Sequence, residues 1–442
     1  MKRLLPLALL ILLSTGVRAQ SPLDVKILDA YFDSLAHYDQ AMGTVSIFLG
    51  DEERYTRSVG YSDKALSVAA TPDHVYRVGS ITKTFTAVIV HGLAMDGKLS
   101  LDDKLAQYYP ELPNADQITL DQMLRHQSGL HNYTATEDVE QWIDQLQTPQ
   151  QHLARIKKGG SDFLPGEGVS YSNSNFLLLG YIAERVSGQS YAQLLRDYVL
   201  TPCNLENTYV GTNDISADRG EVVSFSWDGQ AWQPATLWDM SNAGAAGNIS
   251  STVNDLGRFY RKVVRGQLLP EAQTKQMLSM RDGLGQGLLT APFGTAAGYG
   301  HNGGIEGFST MALHFPEQDI TIVYLSNGVR LPLNDVLLAG LSVAFGQPLE
   351  IPDLRPTPSM EEAVAQQYVG HYTNEIFPLD IDISFANGRL VCQATGQGAF
   401  PLSPTEAHTF VFPAASLTLI FTPAEGKMQL LQMGNDFTFL RQ

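Results

Sequence analysis

Apolar positions recur at two periods along this chain, and the change of period divides it. Residues 23–38 read as a helix. Segments 43–49 and 54–60 read as the arms of a hairpin, with Asp51 and Glu52 in the turn. In the run that starts at Val78, Phe85, Val88, Ile89 and Leu93 fall at helical spacing. That face should meet a core, and Gly97 should end the helix. Segments 118–126, 174–187 and 255–265 read as further helices, with Thr252 and Asp255 fitting a cap for the last. Residues 308–315 and 319–326 read as strands, and 333–345 as a helix.

Beyond residue 347 the pattern changes. Pro348, Pro352, Pro356 and Pro358 fall close together and predict a semi-rigid linker over 348–360. Short segments follow at 368–372, 379–384, 389–393, 408–412, 417–421, 428–433 and 436–440. They predict an all-β domain over 361–442. The chain shows no internal repeat. The expected order is a leader over 1–19, a mixed α and β domain over 20–347, the linker, and the small β domain.

The leader rests on three features. Lys2 and Arg3 are charged, Leu4 to Leu13 is apolar apart from Pro6, and Val17-Arg18-Ala19 ends in a small residue. This is the pattern of a secretory signal peptide cut after Ala19, too short to span a bilayer. The expected location is secreted or periplasmic, with no membrane association after cleavage.

Composition narrows the partners. The chain is 44% apolar and 17% charged, which suits a globular protein with a sizeable core. Its net charge of −17 argues against a nucleic-acid partner, because phosphate binding needs a basic face. It also argues against docking on an anionic membrane surface. Cys203 and Cys392 fall in different expected domains and in no motif, so both are expected to be unpaired.

Three stretches carry candidate chemistry. The first is "VGSITKTFTA", residues 78–87. Residues three apart on a helix are neighbours, roughly 5–6 Å between Cβ atoms. Lys83 can therefore reach back to the Ser80 hydroxyl. At a helix start the Ser80 backbone N–H is also free to meet an anion. A serine with a basic neighbour and an oxyanion donor is what acyl transfer needs. The second is "PGEGVSYSNSNFLLLGYIAE", residues 165–184. Tyr171 and Asn173, two apart in an extended segment, can face one cleft. Tyrosine can serve as a general base when nearby charge favours its phenolate, and asparagine offers a donor and an acceptor to an amide. Alone, the same residues also suit turn and cap chemistry. The third is "GYGHNGGIEGF", residues 298–308. Its glycines allow close approach of a backbone or acyl group, and His301 can hold a carboxylate or relay a proton.

S-x-x-K marks penicillin-binding proteins and class A β-lactamases, where S-D-N and K-T-G follow. Here Y-x-N and H-x-G follow instead. With that order the chain resembles the penicillin-recognising serine hydrolases, in the branch of class C β-lactamases, D-alanyl-D-alanine carboxypeptidases and D-aminopeptidases (peptidase family S12 type). "DGKLSLDDKLAQYYPEL", "ITLDQMLRHQSGL" and "GNISSTVNDLGRF" are similar too, and the likeness covers roughly residues 25–345. It implies an α+β fold, a β-lactamase/transpeptidase-like domain with an antiparallel sheet flanked by helices. The tail from "YVGHY" resembles an appended β-barrel domain.

The resemblance also implies roles. Ser80 matches the nucleophile and Lys83 the lysine that polarises it. Tyr171 matches the acylation base, or a relay shared with Lys83. Asn173, His301 and Gly303 match substrate-binding positions, His301 as a cationic or hydrogen-bonding group. The backbone N–H groups of Ser80 and Gly304 match the oxyanion hole. No cofactor and no metal are implied, and the partner is a small-molecule or peptide substrate, β-lactams included. The implied activity is hydrolysis of an amide or ester through a Ser80 acyl-enzyme, on a D-amino-acid peptide or a related small substrate. A β-lactamase, a carboxylesterase and a catalytically silent penicillin-binding sensor are the alternatives. Asn302 stands where relatives that bind a terminal carboxylate often carry Thr or Ser. One hydroxyl contact to carboxylate is then missing, which leaves room for an esterase or a D-amino-acid amidase or peptidase.

Overall fold

The computed structural model describes residues 23–354, 360–374, 376–377, 379–396, 398–412, 417–432 and 435–442. The expected leader, and Pro356 and Pro358 of the expected linker, lie outside the described residues. The chain divides into two compact units between Pro352 and Asp353.

The first unit is built on a six-stranded antiparallel sheet. Its strands are β1 (Ala41–Leu49), β2 (Glu52–Val59), β3 (Leu289–Phe293), β4 (Ala296–Ile305), β5 (Phe308–Phe315) and β6 (Ile320–Val329), in the order β3-β4-β5-β6-β1-β2. The hairpin turn expected at Asp51 and Glu52 lies instead at Gly50 and Asp51, because Glu52 already pairs with Leu49. β1 is buried over nearly its whole length, so both faces of the sheet are covered. Its two interior hydroxyls are satisfied across the ladder. Thr44 bonds Ser58 at 2.8 Å and Tyr76 at 3.0 Å, and Ser46 bonds Thr56 at 2.8 Å.

Helices cover the two faces. α1 (Val25–His37) and a helix at Leu333–Ala344 pack on the face that carries Ile47 and Ile322. The opposite face, with Phe48, takes the helix at Val253–Val264, capped by Thr252 accepting from the Asp255 N–H. Behind that helix runs α2 (Thr82–Met95), with Phe85 stacked on Phe259 at 3.8 Å between ring centroids. The sequence predicts one apolar face for α2, yet Thr82 through Leu93 are all buried. The threonines explain this: Thr84 donates to Gly287 O at 2.7 Å and Thr86 to Ala245 O at 2.6 Å. Polar residues at helical spacing here bond to other segments rather than to water.

The helix expected over 118–126 is shorter, Leu120–Leu124, with Thr119 and Gln122 forming a reciprocal cap. It stops because His126 takes a left-handed conformation, φ +57°. No helix among the described residues is long and apolar enough to cross a membrane.

The second unit is a nine-stranded antiparallel sheet. All seven expected segments are strands, with two more at Phe400–Pro401 and Ser403–Glu406. These two are the edges of the sheet, and only Leu402 separates them in the chain. The sheet therefore curls almost fully closed as a barrel around Tyr368, Tyr372, Phe410, Phe421 and Phe439. Cys203 in the first unit and Cys392 in the second are both free and buried.

Candidate active site

Ser80 sits in a single helical turn, Gly79–Ile81, that leads into α2. Backbone N–H groups in a first turn have no intrahelical acceptor, so the Ser80 N–H faces outward. Lys83, one turn on, is fully buried. Its Nζ is 3.0 Å from Ser80 Oγ and 2.7 Å from Ala246 O. Neither bond is to a carboxylate. Burial therefore depresses the Lys83 pKa well below the usual lysine value. A neutral amine in this place donates to Ala246 O and presents its lone pair to the Ser80 hydroxyl.

Tyr171 and Asn173 precede and open the helix α3 (Asn173–Ser187). The Tyr171 ring lies under Lys83 Nζ, 4.8 Å from its centroid. Its hydroxyl is buried and completes no hydrogen bond. Burial pushes its pKa up, and the nearby Ser80 hydroxyl opposes this in smaller measure. Asn173 donates its Nδ2 to Thr134 Oγ1 at 2.8 Å, and its backbone N–H to Asn132 Oδ1 at 3.1 Å, which fixes the amide beside Ser80.

The third stretch brings β4 to the same place. β3 pairs with β4 only as far as Gly300, so the β4 edge from His301 to Ile305 has no strand beside it. The Ser80 turn packs there instead. Gly79, at φ +54°, lies so close to Gly304 that a Cβ would stand 2.9 Å from the Gly304 nitrogen. The two backbones that carry the expected oxyanion donors are thus in contact. Gly304 itself faces open space, with nothing within 4 Å of a Cβ built on it.

One residue differs from expectation, and for a second the structure favours one of two alternatives. Gly303 is expected to touch substrate, yet a Cβ there would lie 2.0 Å from Val78 O and 2.4 Å from Thr310 Oγ1. Its open side faces the protein, so it packs β4 onto Val78, two residues before Ser80. His301 is expected to be cationic or hydrogen-bonding. Burial, then Lys83, pushes its pKa down to about 3, so the imidazole is neutral. Its Nδ1 faces the Asn302 carbonyl at 2.5 Å.

One neighbour of the site escapes the sequence reading. His126 stacks on Tyr171 with 4.5 Å between ring centroids. Its Nδ1 accepts the Ser172 N–H at 3.0 Å, so the neutral ring carries its proton on Nε2. Burial, then Lys83 and His301, depress its pKa. The signal lay in "RHQSGL", a polar run between Leu124 and Leu130 whose His126, Gln127 and Ser128 are all buried.

The cavity over Ser80 is small, about 40 Å³, and walled by Tyr133, Asn173, Trp238, Asn242, Gly304 and Ile305 among others. Among the described residues lining it there is no arginine, lysine or histidine. Larger cavities of about 670 and 500 Å³ are lined by neither Ser80 nor Lys83.

A serine, a buried amine and two apposed backbone donors around one small cavity can support acyl transfer. The chain is similar to several known proteins. Penicillin-binding protein 4 of Amycolatopsis lactamdurans is 27% identical over 67% of this chain and 84% of its own. The solved structure of D-amino acid amidase from Ochrobactrum anthropi with D-phenylalanine is 25% identical, with a TM-score of 0.62 over 72% of this chain and 98% of its own. The octameric penicillin-binding protein homologue from Pyrococcus abyssi, at 22% identity, shares the fold over 94% of this chain and 100% of its own, with a TM-score of 0.69. The family model described as Beta-lactamase matches residues 28–341, and the chain belongs to that family.

Proposed function

We propose that this protein hydrolyses small amides or esters, D-amino-acid amides or peptides foremost, through an acyl-enzyme on Ser80. The observation that carries this is the 3.0 Å contact between Ser80 Oγ and a buried, carboxylate-free Lys83. Ser80 Oγ attacks the carbonyl carbon and its proton passes to Lys83. The oxyanion is held by the N–H groups of Ser80 and Gly304. The leaving amine or alcohol takes the proton back, with Tyr171 as the relay, and water then releases the acid by the same route in reverse. Asn173 holds the substrate amide, and His301 acts as a neutral hydrogen-bonding group.

The cavity supports an acyl donor without a terminal carboxylate. A carboxylate at that position would seek a cation, and the lining residues supply none. Asn302 offers no hydroxyl there either. The similarity to a D-amino acid amidase points the same way. The leader supports action outside the cytoplasm, and the exported protein should begin at Gln20.

The test is intact mass and turnover with D-phenylalanine amide, its L-enantiomer, the matching methyl ester and benzylpenicillin, beside Ser80→Ala. Ser80-dependent turnover of the D-amide and ester, faster than of benzylpenicillin, is expected. Equal and negligible rates in both proteins on every substrate would defeat the proposal.

A further inference from the structure

Arg77 and Glu306 form an ion pair that is almost wholly buried, their side chains 6% and 0% exposed. Arg77 lies three residues before Ser80, and Glu306 two residues after Gly304. Each partner ties a further segment. Arg77 Nη2 donates to Thr212 O at 2.7 Å, and Glu306 Oε1 accepts the backbone N–H of Trp238, a cavity wall, at 2.7 Å.

Stability does not account for this pair. Removing two charges from water commonly costs as much as their attraction returns. Here the cost is raised further, because Glu306 Oε2 is buried with no partner. Glu306 also stands at φ +54°, a left-handed conformation uncommon for glutamate. Burial raises its pKa, against the pull of Arg77.

Its position gives the pair another use. The strand Tyr76–Arg77 pairs with Ile249–Ser251 and not with the central sheet. Gly304 belongs to the central sheet. The seam between these two sheets therefore runs between the two expected oxyanion donors. Side chains cross it at three points: Thr44 bonds the Tyr76 hydroxyl at 3.0 Å, Thr310 donates to Val78 O at 2.9 Å, and Arg77 meets Glu306, the pair that stands nearest in sequence to both donors.

We infer that the Arg77–Glu306 pair is a positioning clamp that sets the spacing of the Ser80 and Gly304 backbone donors, and holds the Trp238 wall to them. This rests on the acyl-enzyme reading above. An oxyanion hole works only when its donors already stand where the charge develops. Loosening the clamp should weaken transition-state binding and spare ground-state binding.

The experiment uses the full chain with Arg77→Met and Glu306→Leu combined, and Glu306→Gln alone. Apolar replacement of a buried pair is expected to leave the melting temperature near or above that of the parent. Each protein is assayed with p-nitrophenyl acetate and with phenylboronic acid, whose tetrahedral Ser80 adduct places an oxygen in the hole. The clamp predicts kcat down about tenfold or more, KM within about threefold, and boronate affinity down by the same factor as kcat. A merely structural pair would leave kcat and boronate affinity within about twofold of the parent in the folded variants, and that overturns the inference. If the double variant does not fold, Glu306→Gln decides by the same criteria. A parent that forms no Ser80 adduct overturns both readings. A parent acylated at Ser80 with unaffected variants overturns the clamp alone.

Discussion

Lys83 Nζ rests 4.8 Å from the centroid of the Tyr171 ring, and burial drives the two groups in opposite directions. The lysine pKa falls and the tyrosine pKa rises. Both shifts favour the neutral forms. Amine and phenol are thus favoured over ammonium and phenolate, which supports the proposed reading of Lys83 as proton acceptor and Tyr171 as relay. His301, neutral down to about pH 3, contributes no titration near neutrality.

A pH profile follows. The acylation rate should climb as Lys83 loses its proton, and level off well below the pH at which an ordinary lysine titrates. Lys83→Arg keeps a cation but cannot accept a proton, so its rate should fall about 10²–10⁴-fold at every pH. Stopped-flow acylation across the neutral and alkaline range checks both points. A rising limb that persists unchanged in Lys83→Arg would assign the base elsewhere.

Stability should rise with pH as well. Unfolded Lys83 is protonated throughout the neutral range, while the buried group binds its proton less readily. The folded state thus binds fewer protons, and stability rises with pH between the depressed folded value and the ordinary one. Lys83→Met removes that dependence. The variant should melt a few degrees higher than the parent at neutral pH, at about 2–4 °C per kcal/mol, with the gap closing as pH rises towards 10. A calorimetric series over pH measures it.

Tyr171→Phe separates chemistry from packing. The hydroxyl completes no hydrogen bond, so removing it leaves no buried partner behind. The melting temperature should stay within about a degree or rise. Acylation should slow by about 10²-fold, in the range of a lost proton-transfer group. Burst kinetics with an activated ester would show this as a smaller burst rate at unchanged amplitude.

What was legible in the sequence was local. Ser80 and Lys83 meet because three residues of helix bring them together, and spacing alone carries that. Thr252 and Asp255 likewise signal a cap through a contact four residues long. Long-range relations left weaker traces. Thr82, Thr84 and Thr86 fall outside the apolar face that spacing predicts, because their partners, the Ile249 N–H that donates to Thr82 and the Gly287 and Ala245 carbonyls that accept from Thr84 and Thr86, lie far off in the chain. His126 gave no sign of its stack on Tyr171, which depends on a left-handed backbone at a helix end. The closing strands at 400–401 and 403–406 are short and contain Pro401 and Pro404, and proline there argues against a strand until the barrel edge is seen.

Gly303 and Gly304 show the same limit and yield a sharp contrast. In sequence they are adjacent members of one glycine pair, with no mark to distinguish them. In the fold they face opposite ways, because successive positions of a strand alternate. A methyl on Gly303 would enter the Val78 carbonyl and the Thr310 hydroxyl. Backbone cannot retreat as a side chain can, so Gly303→Ala should cost at least the 1–3 kcal/mol typical of overpacking, and shift the Ser80 turn with it. A methyl on Gly304 meets nothing within 4 Å, and its backbone is not in the left-handed region. Gly304→Ala should therefore melt with the parent while narrowing a cavity of only about 40 Å³. Its KM for bulky acyl groups should rise, and that for acetyl esters should change little. Thermal melts of the two variants, beside ester series of increasing acyl size, decide the matter. Equal destabilisation by both would mean that the two glycines do not face apart as described.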